Sequence, residues 1–195
     1  MINLLKLGFC ITGSFCSMDD MLDVLNDLKD LYDIEIFVSP TVLKNDSRFY
    51  KSDELFTKIK NVIDCPIHST INESEVFGPL KKLDIVLIYP CTSNTLAKLA
   101  QGINDNCITM IVKSSLRNNV SIVVGVYTND ALGNSGKNIM CLLNSKNYYF
   151  VPMFQDHYKK KPLSMIADKN KVIGTLNKAY QKEQIQPLIL GYKEV

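Results

Sequence analysis

A three-layer α/β domain with a mostly parallel sheet is the fold class this sequence predicts, and three observations predict it. The clearest apolar runs, DIVLIY at 84–89 and SIVVGVY at 121–127, are continuous. Continuous rather than alternating runs belong to strands covered on both faces. Segments with helical spacing separate the runs, so strand and helix alternate along the chain. The 195 residues suit one core, and the sequence shows neither an internal repeat nor a linker.

The elements follow in order. Leu4 to Ile11 reads as the first strand and ends at Thr12-Gly13-Ser14. Met21, Leu22, Leu25, Leu28 and Leu31 recur at helical spacing, with Ser17 as N-cap and Asp19 and Asp20 in the first turn. Ile34 to Val38 is a strand stopped by Ser39-Pro40, and Phe49 to Val62 a helix. Asp84 to Tyr89 is a buried strand ended by Pro90. A helix follows from Thr95 through Gln101, capped by Asn94 or Thr95 at its start and by Gly102 at its end. Cys107 to Leu116 is a mostly buried helix, Ser121 to Tyr127 a strand, and Gly136 to Asn144 a helix. Tyr148 to Val151 is a last short strand, residues 155–165 form a basic flap, and Met165 to Gln181 forms a C-terminal helix. The expected domain is thus 1–195, Rossmann-like or flavodoxin-like, with helices on both faces.

Bulk properties narrow the function. A net charge of +2 points away from nucleic acid. No apolar run approaches the ~20 residues that cross a bilayer. Lys6 interrupts the N-terminal run MINLLKLGFCITGSF, which suits a first strand better than a signal peptide. The six cysteines form no CxxC pair, so neither a zinc site nor a redox pair is expected, and a reducing cytosol is the simplest setting.

In open parallel sheets, ligands sit at the carboxyl ends of the strands. Three such ends carry polar clusters: Thr12-Gly13-Ser14, Ser39-Pro40-Thr41, and Pro90-Cys91-Thr92-Ser93-Asn94-Thr95. Each also reads as an ordinary turn or helix cap. The third is the most informative, because capping accounts for one or two of its residues and not for the run. No GxGxxG fingerprint and no Walker A loop is present, which favours a mononucleotide over NAD or FAD. The fourth strand adds Thr128-Asn129-Asp130-Ala131-Leu132-Gly133.

The segment PCTSNTLAKLAQGINDN resembles the P-x-T-x-N-T-x-x-K-x-A-x-G-x-x-D signature of flavoproteins related to the homo-oligomeric flavin-containing cysteine decarboxylases. The ITGSF turn, TNDALG and Asn138 match that group in order. The strings SLRNN, NIM, KNYYFVP, QD and KKPLSM, with RF and GP, resemble the family of dipicolinate synthase B subunits over about Gly8 to Pro187. The resemblance implies FMN, with its phosphate near Gly13, Ser14, Ser39 and Thr41 and its ring near Pro90, Thr92, Ser93, Asn94 and Thr95. It places Thr12 and Asn129 beside the cofactor, and Asn129 is also the one catalytic candidate. It implies an NAD(P)-type A subunit as partner, a trimer or multiple of trimers, and the cytoplasm of a sporulating mother cell. The substrate would be a small dicarboxylate, a dihydrodipicolinate or its hydroxylated tetrahydro precursor.

The decarboxylases carry a catalytic His just before the strand at 84–89. Here that stretch reads Glu75-Val76-Phe77-Gly78-Pro79, and His68 and His157 read as loop and flap residues. Cation candidates for the carboxylates are Lys160 and Lys161 with Ser164 in the KKPLSM flap, beside Lys159, and Lys113 with Arg117 on one helical face. Two other readings remain open: an FMN-dependent decarboxylase or prenyltransferase relative, and a non-catalytic stabilising subunit with a vestigial pocket.

Overall fold

The computed structural model describes residues 4–80 and 82–191. Six strands form the parallel part of the sheet: β1 (Lys6–Ile11), β2 (Asp33–Val38), β3 (Ile67–His68), β4 (Ile85–Cys91), β5 (Ser121–Thr128) and β6 (Tyr148–Phe150). Their spatial order is 3-2-1-4-5-6. This is the Rossmann-like three-layer arrangement the continuous apolar strands predict. Two further strands, β7 (Met153–Phe154) and β8 (Met165–Ala167), pair antiparallel to each other, and β8 pairs antiparallel with the far end of β5.

The helices are α1 (Met18–Leu28), α2 (Pro40–Lys44), α3 (Ser52–Val62), α4 (Ile71–Glu75), α5 (Ser93–Ala100), α6 (Cys107–Arg117), α7 (Gly136–Leu143) and α8 (Val172–Tyr180). Alternate residues of each strand feed two cores. Leu7, Phe9 and Ile11 meet Met21 and Leu25 of α1, Leu55 and Ile59 of α3 and Leu176 of α8 on one face. Cys10, Val86 and Ile88 meet Leu96 of α5, Ile108 and Ile111 of α6 and Ile139 of α7 on the other.

Several expectations change. Pro90 does not end β4, which runs to Cys91 with an irregular register after Ile88. Tyr148 to Val151 is not the last strand. The Met165 to Gln181 helix begins only at Val172, because Met165–Ala167 is spent as β8 against β5, and a 3₁₀ turn at Lys169–Lys171 intervenes. Thr92, not Asn94 or Thr95, is the N-cap of α5, its hydroxyl accepting from the Thr95 N–H. The helix expected from Phe49 starts at Ser52, and Ser17 sits at the N-cap of α1 without capping it, its hydroxyl bonding Ser14 Oγ instead. Gly102, at φ +68°, does close α5 as expected. His68 is not a loop residue: it lies in edge strand β3, with Nε2 2.7 Å from Glu35 Oε2 and its ring stacked on Phe37. That pair and the stacking on Phe37 pin β3 to β2. The short elements β3, α2 and α4 lie below the length at which periodicity is visible.

The six cysteines are free thiols. Burial pushes the Cys10 and Cys91 thiols well up, so both act as core hydrophobes. Among the described residues no group of acidic, His or Cys side chains is arranged to hold a metal ion. Nor is any helix among them long and apolar enough to cross a membrane.

Candidate functional site

The order 3-2-1-4-5-6 reverses direction between β1 and β4, and a crevice opens there. Thr12, at the end of β1, is 1% exposed and stitches the two strand ends together. Its Oγ1 donates to the Pro90 carbonyl at 2.7 Å and accepts from the Thr92 N–H at 3.1 Å. Around that stitch lies a cleft of about 480 Å³. Its walls are Thr12 and Gly13 just after β1, Ser39 just after β2 with Pro40 and Thr41 of α2, and Thr92 just after β4 with Asn94 and Thr95 of α5. All three polar strand ends therefore meet in one place.

The cleft's lining can be set against what a phosphate requires. The N-cap residues of α5 and α6, Thr92 and Asn106, both line it, each side chain accepting from the N–H three residues on, so the positive ends of two helix dipoles lie beside the cleft. Ser39 is 7% exposed, and its Oγ is buried with no hydrogen-bond partner. A buried hydroxyl left unpaired is costly. The residue lines the cleft, so a rotation of its side chain would bring this donor to a ligand there. Gly13 completes the cradle: a Cβ there would meet Thr41 Cγ2 at 2.9 Å. Only glycine lets the chain pass so close to the floor. The donor set fits the FMN phosphate.

Three more residues line this cleft that sequence reasoning did not select: Lys98, Asp105 and Asn106. Lys98 Nζ lies 2.6 Å from Asp105 Oδ2 and holds the Asp105 carboxyl below its usual range. Both stand at fixed places in PCTSNTLAKLAQGINDN, so the signal was present in the spacing. Pro90 and Ser93 do not line the cleft; Pro90 acts through its carbonyl, and Ser93 opens α5.

A second cleft, about 210 Å³, lies beside the first across the β1–α1 loop. Ser14, Asn129, Lys161 and Ser164 meet there, with Asp20 and Tyr127 among its other walls. Thus Ser14 and Asn129 leave the set around the first cleft, and Lys160 lines neither. Ser164 is 1% exposed and donates to Asn129 Oδ1 at 3.3 Å. Lys161 Nζ pairs with Asp156 Oδ2 at 2.9 Å, across the flap. His157 is half-buried in the same flap, its Nδ1 accepting from the Lys160 N–H. Beneath lies a phenol chain: Tyr89 OH bonds Tyr127 OH, which also reaches Asp20 Oδ2 and the Ala167 carbonyl, each at 3.2 Å. Burial pushes both phenols well up, so they act as neutral donors. Lys169 in turn clamps Asp20 at 2.9 Å and Asp23 at 2.7 Å. Asn138 is buried near the start of α7 and lines neither cleft, and Lys113 and Arg117 stand on exposed turns of α6 away from both.

Known proteins share this architecture. The sequence profile of the Flavoprotein family matches residues 1–174. The B subunit of dipicolinate synthase from Bacillus subtilis (strain 168) is 34% identical over 186 residues, 95% of this chain and 93% of that one. The crystal structure of the corresponding B subunit of dipicolinate synthase from Bacillus halodurans superposes with a TM-score of 0.88 at 37% identity, over 97% of this chain and 99% of that one. A dodecameric FMN-dependent UbiX-like decarboxylase from Escherichia coli O157:H7 matches at TM-score 0.59 and 16% identity, over 76% of this chain and 80% of its own, a likeness of fold. With the family profile spanning nearly the whole chain, and a relative of this identity aligned end to end, the chain belongs to the Flavoprotein family.

Proposed function

We propose that this chain is the flavin-binding B subunit of a dipicolinate synthase, acting with an NAD(P)-type A subunit to form dipicolinate in a sporulating cell. The observation that carries the reading is the first cleft, where three polar strand ends, two helix N-termini and the unpartnered Ser39 hydroxyl converge. In this reading the FMN phosphate sits at Gly13, Ser39 and Thr41, with the ring toward Thr92, Asn94 and Thr95. A bound flavin supplies a two-electron acceptor, which is what aromatising the ring of a dihydro precursor requires. The chain's own residues bind and orient it. The flap residues Lys161 and Ser164, which line the second cleft, meet the carboxylates of the substrate and exclude water from it, and the neighbouring Lys160 adds to the positive charge of the flap. Whole-length likeness to dipicolinate synthase B subunits, together with enzymes among the family's relatives, supports the reading. Assembly as a trimer or a multiple of trimers belongs to the same proposal.

The test is reconstitution. Purified chain, FMN, the A subunit and the precursor are combined, and dipicolinate is followed by ultraviolet absorbance. Product should require both chains and FMN. Neutralising Lys160 and Lys161 together should raise the precursor KM and leave FMN affinity intact. Product formed equally fast without FMN would favour a stabilising subunit with a vestigial pocket. Decarboxylation of a cysteinyl substrate by the chain alone would favour the decarboxylase reading.

A further inference from the structure

Aromatising a dihydro ring removes two hydrogens. One leaves with its electron pair, and a bound flavin takes it. The other leaves as a proton and needs a base beside the substrate. The flap residues Lys161 and Ser164 are donors, so the base is another group. Two carboxylates line the second cleft, Asp20 and Asp156. They differ in what each leaves behind on taking up a proton. Asp156 holds Lys161 at 2.9 Å, and Lys161 has no other carboxylate partner among the described residues. A proton on Asp156 therefore breaks the pair that spans the flap.

Asp20 is supported otherwise. Its Oδ1 accepts from Lys169 at 2.9 Å and its Oδ2 from Tyr127 at 3.2 Å, and each of these donors has a second acceptor in place. Lys169 also holds Asp23, at 2.7 Å, and Tyr127 also reaches the Ala167 carbonyl, at 3.2 Å. A proton can settle on Asp20 with neither donor left orphaned. Two bonds leave about half of the carboxylate's lone-pair sites open, and its side chain is 35% exposed. The sheet makes room for the support beneath. Gly125 lies inside β5, where a Cβ would stand 2.3 Å from Tyr89 Cδ2. A glycine there weakens the strand, yet it lets the Tyr89 ring lie against β5, edge to face with Tyr127 at 5.2 Å. Tyr89 is fully buried, and its hydroxyl donates to the Tyr127 oxygen. The Tyr127 proton is thus left to move between Asp20 and Ala167. Gly13 lines the flavin cleft and Ser14 the second one, so the two sites are adjacent.

We propose that Asp20 is the proton acceptor of the ring oxidation, and that Tyr127 is the residue that positions it. In the step, one ring C–H bond breaks with its electron pair leaving on the hydrogen, which goes to the flavin. The neighbouring C–H bond breaks the other way. Its proton goes to an Asp20 oxygen, and its electron pair completes the aromatic ring. As Asp20 becomes neutral, Tyr127 turns its proton to the Ala167 carbonyl and Lys169 keeps Asp23. The exposed edge of Asp20 then returns the proton to water. The inference rests on the reading that a dihydro precursor is oxidised beside this flavin.

The experiment compares the full-length wild-type chain with Asp20→Asn, Tyr127→Phe and Asp156→Asn, each with FMN and the A subunit. The kcat and KM for the precursor are followed as pH is lowered. Dipicolinate binding by calorimetry and FMN affinity are measured on the same chains. Asp20→Asn should lower kcat by at least about a hundredfold and abolish the fall of kcat at acid pH. It should bind dipicolinate at least as tightly as wild type, because a negative charge leaves the cleft, with FMN affinity unchanged. Tyr127→Phe should keep the acid fall and move it to higher pH, because the ionised carboxylate loses a donor. The remaining titratable neighbours are Asp168 behind Tyr89, the flap pair Asp156 and Lys161, and the Cys16 thiol. Loss of the acid fall in Asp156→Asn, with Asp20→Asn retaining it, overturns the assignment in favour of the flap carboxylate. Wild-type kcat and pH profile in Asp20→Asn overturn it while the flavin reading stands. Dipicolinate and FMN binding that fall together with kcat in Asp20→Asn reduce the residue to a structural one. Absence of FMN-dependent dipicolinate from the wild-type pair removes the oxidation reading itself, and the proposal with it.

Discussion

The two clefts at the carboxyl edge of the sheet are neighbours built on opposite principles. The first keeps one donor unspent, Ser39 Oγ, beside a frame already bonded through Thr12, Thr92 and the Lys98–Asp105 pair. The second has spent nearly everything. Asp20 is held by Tyr127 and Lys169, Asp156 by Lys161, and Asn129 by Ser164. This contrast decides which cleft can take an anion without first breaking its own structure. In the proposed reading the first cleft binds by adding a hydrogen bond at Ser39 Oγ. The second binds only by exchanging internal pairs for external ones, which suits a flap that opens and closes over a substrate.

Gly13 is where the contrast is most exposed to test. Gly13→Val forces a side chain into Thr41, where a Cβ alone would stand 2.9 Å from Cγ2. Overpacking of about 1–3 kcal/mol is expected there, and FMN affinity should fall by on the order of a hundredfold, read by flavin fluorescence quenching. At the other cleft, Tyr127→Phe removes the hydroxyl shared by Tyr89, Asp20 and the Ala167 carbonyl. It should lower unfolding stability by about 1–3 kcal/mol in urea titration. FMN affinity should not change, and a loss of FMN binding would mean the two clefts are one site.

Asn94 separates ligand contact from helix capping. It lines the first cleft but does not cap α5, since Thr92 does. Asn94→Ala should therefore weaken FMN by about 1–3 kcal/mol and leave the melting temperature alone. Thr92→Val should reduce both, with about 0.5–2 kcal/mol of the stability loss from the cap. The least change is expected at Ser39, where it is also the most particular. Ser39→Ala deletes a buried hydroxyl that has no partner in the free protein. The free protein should be as stable as wild type or slightly more so, while FMN binding weakens by about 1 kcal/mol.

The parallel sheet and the first cleft were legible in the sequence for the same reason. Strands such as Asp84–Tyr89 are long enough to show continuous apolarity, and their polar ends follow directly. The second cleft was legible only in part. Lys161, Ser164 and Asn129 stood out by resemblance, but Asp20 reads as a first-turn acid of α1, and Tyr127 as a core residue of β5. Their meeting depends on β8 returning antiparallel to β5, a three-residue strand with no periodic signature. The same short strand hid the true start of the C-terminal helix. His68 was misread because β3 has two residues, and its partner Glu35 lies 33 positions away.

Whether the first cleft holds FMN is settled most directly by titration. Purified chain is titrated with FMN and with FAD while flavin fluorescence is followed, alongside Gly13→Val. Saturable quenching by FMN, weaker binding of FAD, and near-complete loss in the variant are expected. No saturable FMN binding below high micromolar concentrations, or equal binding by wild type and Gly13→Val, would contradict an FMN site in this cleft.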